Sequence, residues 1–162
     1  MNKLSIIVIS AMALALVSCT TTNPTTGQRE FDEASTAMLL APMEAPIAAA
    51  VHISSKNDAN TRSAFAIAQQ VLANMLDGDS VINRDLIKAR LGEISISGLS
   101  VQDSLFVMNL ATETVLNYYD VLINYLVRQK IQESRALPMV LQTIERGLAL
   151  GLSSDTTPPP SP

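Results

Sequence analysis

An all-α fold is what this chain predicts: a small irregular bundle of about five to six helices around one long central helix near residues 101–133. Three observations carry that expectation. Apolar residues recur at spacings of three and four in several windows, which places them on one face of a helix. Pro42, Pro46, Gly78, Gly92, Pro138 and Gly151 fall at the edges of those windows, where they end or start helices. The one alternating stretch, residues 93–99, has no second stretch to pair with, so it reads as an extended connector rather than a strand.

Residues 33–41 form the first candidate helix, which stops where Pro42 disfavours helical geometry for the residue before it. Pro46 suits the first turn of a second piece running to about Ser54, because its missing N–H would be unpaired there in any case. Asn60 is the expected cap of a third helix, whose stripe is Ala64, Phe65, Ala68, Val71, Leu72, Met75 and Leu76 and whose stop is Gly78. Ser80 or Asn83 opens a fourth, carrying Leu86, Ile87 and Leu91 up to Gly92. Ser100, with Asp103 three places on, resembles a capping box for the long helix. A final helix is expected from near Pro138 to about Leu150, with Met139, Val140, Ile144 and Leu148 inward and Gly151 as its stop. The mature methionines Met38, Met43, Met75, Met108 and Met139 are dispersed over different helices and read as core filler.

Composition narrows the chemistry. The 162 residues are 48% hydrophobic and 16% charged, with 11 Lys plus Arg against 15 Asp plus Glu. One domain is the size this permits. A net charge of -4 offers no basic footprint for nucleic acid. A single His and a single Cys exclude a Cys/His metal cluster, a disulfide framework and a Cys-His nucleophile pair. Neither a phosphate-cradling glycine loop nor a Gly-x-Ser-x-Gly elbow occurs, so no cofactor or metal is expected.

Between Val115 and Val127 the long helix is apolar except for Asn117, Asp120 and Asn124. With Glu113 before and Arg128 after, these polar residues are stepped by 4, 3, 4 and 4 and make one narrow seam. That seam is the candidate binding site of the domain. Its two readings are a contact surface for a partner and the one solvated face of a mostly buried helix.

The N-terminus supplies a different kind of signal. Lys3 precedes a 14-residue apolar run over 4–17 that contains only Ser5 and Ser10 as polar interruptions. At about 1.5 Å per residue this run is roughly 21 Å long, short of the roughly 30 Å hydrocarbon core and suited to a secretory signal. Leu16, Val17, Ser18 and Cys19 resemble the lipobox of bacterial lipoproteins. That resemblance implies cleavage after residue 18, diacylglycerol on the Cys19 thiol and a membrane-anchored mature chain. Thr20 stands where an Asp would imply inner-membrane retention, so the outer membrane is favoured. Residues 19–30 then form a Thr/Asn/Pro/Gly-rich tether, 31–152 the helical domain and 153–162 a Pro-rich tail.

Residues 23–31 also resemble the segment after the lipid-bearing Cys in some lipoprotein zinc metallopeptidases. Those enzymes need two His one turn apart on a helix, and here the one His is His52, so the catalytic carry-over fails. The expectation for the whole is a non-enzymatic lipoprotein that binds or organises protein partners in the cell envelope. Two other functions are weighed beside it. A carrier of a lipid or other apolar molecule would show a cavity of several hundred cubic ångströms between helices. A hydrolase would bring at least two of Glu113, Asp120, Glu133 and Glu145 into one cleft.

Overall fold

The computed structural model describes residues 32–78, 82–129, 131 and 133–153, the last segment with side chains from Ala136 onward. The expected signal peptide (1–18), Cys19, the expected tether (to residue 30) and the Pro-rich tail from residue 154 lie outside the described residues. Within them the chain is an all-α bundle of six α-helices. They are α1 (Glu33–Leu40), α2 (Glu44–Ser55), α3 (Ala59–Asp77), α4 (Arg84–Gly92), α5 (Val101–Arg128) and α6 (Glu133–Ser153), with a 3-10 turn, Ala41–Met43, linking α1 to α2.

The helix starts follow from short polar side chains that cover otherwise unpaired N–H groups. Asp32 accepts from the Ala34 N–H, Asn83 from the Leu86 N–H, and Ser100 Oγ from the Asp103 N–H. The Ser100 hydroxyl in turn donates to the Asp103 carboxylate at 2.6 Å, so the box at the head of α5 closes through side chains. For α3 the cap is Asp58 rather than Asn60. Its carboxylate accepts from the Asn60 N–H and from the Thr61 hydroxyl, a two-point grip that an amide two residues later could not make. Residues 93–99 form the expected connector, with Gly98 supplying a positive φ of 88° and Ile96 N–H donating to the buried Ser104 Oγ.

Three boundaries depart from the sequence reading. The long helix ends at Arg128 instead of near 133, where the Ile131 N–H returns to the Leu126 carbonyl and closes a wider turn. The last helix starts at Glu133, so that Pro138 lies inside it, with its ring on the exposed side. Burial of Ala136, Val140 and Leu141 around it offsets the lost hydrogen bond. Gly151 is not a stop: α6 continues to Ser153, and both Gly147 and Gly151 are buried against α2.

Those glycines let α6 approach α2 so closely that neither position has room for a Cβ. A Cβ on Gly147 would stand 2.6 Å from Ile47 Cβ, and one on Gly151 2.6 Å from the Ala48 carbonyl oxygen. The pairing of 147 with 47 and of 151 with 48 and 51 makes α2 and α6 parallel neighbours. Gln69 bonds Glu145 and Arg62 reaches the Leu152 carbonyl, which fixes α3 antiparallel to α6. Thus α6 packs on α1, α2, α3 and α5, while the longer α5 is held by α3, α4 and α6.

One continuous core results, filled by Phe65 and Leu72 of α3, Ile87 and Leu91 of α4, Leu116, Leu122 and Leu126 of α5, and Leu141, Ile144 and Leu148 of α6. Of the five methionines from Met38 onward, Met75 and Met108 are buried as expected. Met38 is 70% exposed, because among the described residues no helix packs on the outer face of α1.

Candidate functional site

The seam of α5 faces outward. Glu113, Asn117, Asn124 and Arg128 are exposed and Asp120 is half-buried. Opposite them the same helix buries Val107, Ala111, Val115, Leu122 and Leu126 at steps of 4, 4, 7 and 4, so the seam is the side that core burial leaves over.

What makes Asp120 different is Arg84 at the first position of α4. Its Nε donates to both carboxylate oxygens of Asp120, at 3.0 and 3.1 Å. That bond, and then the charges of Asp120, Glu113 and Asp85, hold the guanidinium even more firmly protonated than usual. Arg84 was not among the candidates read from the sequence, because nothing in the order of residues reveals that α4 lies alongside α5. The pair is open to solvent, so it ties two helices together without contributing much to stability.

Among the described side chains, Asp120 and Glu145 belong to separate helix pairs and do not share a cleft. Asp120 is neutralised by Arg84 between α4 and α5, whereas Glu145 accepts from Gln69 between α3 and α6. Glu113 lies seven residues before Asp120, about 10 Å along the helix axis. Only the backbone of Glu133 is described.

The outward face of α5 changes character along its length. Two turns before Glu113 it carries Leu105 (51% exposed), Phe106 (72%) and Leu110 (39%), next to the exposed Val101. Residues 106, 110, 113 and 117 continue one row of 4, 3 and 4 steps, so extending the polar seam backwards would have found this apolar half.

A surface cleft of about 250 Å³ lies between α1 and α6, lined among others by Met38, Leu40, Met139 and Thr143. The Glu44–Arg146 ion pair, at 3.8 Å, stands at its edge. None of its lining residues belongs to the apolar segment of α5, whose Val115, Leu116, Leu122 and Leu126 are all in the core. No group of three or more His, Cys, Asp or Glu able to hold a metal occurs among the described residues. Neither a protein-family model, nor a curated protein, nor a solved structure matches this chain.

Proposed function

We propose that the protein is a bacterial lipoprotein, anchored by acylated Cys19 in the cell envelope, preferably in the outer membrane, whose helical domain binds or scaffolds other envelope components without catalysis. The observation that carries this is the position of Cys19. The one thiol of the chain ends an apolar run, after Leu16, Val17 and Ser18, where lipid attachment would require it. Burial of two or three acyl chains at about 0.8 kcal/mol per CH₂ makes a lasting anchor. Tethering then raises the local concentration of the domain near surface-bound partners.

The half-apolar, half-polar outer face of α5 supports the binding reading. Leu105, Phe106 and Leu110 could bury apolar area in a contact whose rim is Glu113, Asn117, Asp120, Asn124 and Arg128. Intact-mass analysis of protein taken from the producing membrane is expected to show cleavage before Cys19 and an added diacylglycerol. An unmodified Cys19 thiol, with Cys19→Ala leaving fractionation unchanged, would refute the anchor. Cross-linking in native envelopes is expected to recover protein neighbours through α5. A stoichiometric bound lipid and no protein neighbour would favour the carrier instead.

A further inference from the structure

The outer face of α1 and α2 forms a second surface on which no other described helix packs, and it is the first described surface after Cys19. Ala34, Met38, Ala41, Ala45, Ala49 and Ile53 follow one another at steps of three and four, and all are exposed. This row is about 28 Å long and uncharged as far as Ile53, with the exposed Lys56 and the half-buried His52 on the same side at its C-terminal end. Over Glu33–Ser55 the mean hydropathy reaches 1.4 with only 22% of the window buried. Glu44 points away from the row, towards Arg146 of α6.

We propose that this face lies flat on the lipid bilayer into which Cys19 is anchored, so that α1 and α2 seat the bundle on the membrane surface. The proposal rests on the lipoprotein reading. The helices cannot span the bilayer, because their inner row, Leu40, Ile47 and Val51, is buried in the bundle and the α6 backbone closes on α2 at Gly147 and Gly151. Lipid can therefore meet only the outer row.

The occupant follows from where the chain enters. Thirteen residues, 20–32, separate Cys19 from α1. A chain of that length reaches about 45 Å at most. The start of the outer row is held within that reach of the headgroups, and among the described residues it is the long apolar row nearest Cys19 in the sequence. An Ala-rich surface gains too little from burial to hold a free protein on a membrane. Once the acyl chains fix the distance, association is intramolecular and a weak contact suffices.

The test uses the full chain from its producing membrane, reconstituted in phosphatidylcholine vesicles containing a lipid with a diazirine on its acyl chain. After irradiation, adducts mapped by mass spectrometry are expected within residues 34–53. A combined Ala45→Glu, Ala49→Glu, Ile53→Glu variant with unchanged circular dichroism should lower them roughly tenfold or more. Ala49→Glu alone serves if the triple variant does not fold. Adducts centred on Leu105, Phe106 and Leu110, or none on α1 and α2, would overturn the proposal while Cys19 acylation, read separately from the intact mass, stands. If Cys19 proves unmodified, the same chain coupled through that thiol to a maleimide-headed phospholipid gives the same readout, so the seating is decided independently of the natural anchor.

Discussion

Small atoms decide how closely α6 meets α2. Ala at Gly147 or Gly151 improves intrinsic helix propensity by about 1 kcal/mol. It also forces a Cβ to within 2.6 Å of Ile47 Cβ or of the Ala48 carbonyl. Overpacking of about 1–3 kcal/mol should win, and more so at 151, where the obstacle is backbone that cannot rotate away. Gly92→Ala has nothing within 4 Å of the new Cβ and should be neutral or stabilising by up to about 1 kcal/mol. Urea unfolding of the three variants reads the contrast, and equal effects would contradict the crossing described. Ser55 sends the opposite signal. Its Oγ is buried without a hydrogen-bond partner, so Ser55→Ala should be neutral or raise stability by about 1 kcal/mol, and a clear loss by the same assay would mean a partner is present.

Helix ends show how far local chemistry reaches. Ser100 and Asn83 do what their residue types predict, because an N-cap is satisfied within three residues of itself, while Gly78 ends α3 in an extended conformation rather than the left-handed one its residue type favours. The cap of α3 moved to Asp58, whose bond from the Thr61 hydroxyl, and then that from the Asn60 N–H, hold its carboxylate below the ordinary value of 3.8. A lowered folded pKa contributes stability above the unfolded value, and that contribution is lost as pH falls through the folded one. The stability gap between the wild type and Asp58→Ala should therefore be full above pH 4 and close in more acidic solution; a gap independent of pH in that window would exclude the charged cap. Pro138 argues the other way, since its place inside α6 came from packing and not from propensity. Restoring the N–H with Pro138→Ala should stabilise α6 by about 1–3 kcal/mol, measured by thermal unfolding. Destabilisation would show that the helix start expected near Pro138 was the better reading.

At the scale of the whole chain, the sequence by itself determined the all-α class, most helix positions, the connector at 93–99 and the polar seam of α5. Each depends on periodicity or on groups a few residues apart, and such information survives in linear order. Tertiary structure alone decided that Arg84 clasps Asp120, that α2 and α6 run parallel at glycine distance, and that Met38 and Phe106 are exposed while Phe65 is enclosed. Phe65 lies in the apolar stripe of α3, whereas Phe106 shares its row with Leu110, Glu113 and Asn117, and it is the helices packed on α3 that enclose the first ring while the outer face of α5 leaves the second in solvent. A packing partner comes from elsewhere in the chain, so no local pattern can specify which stripe finds one.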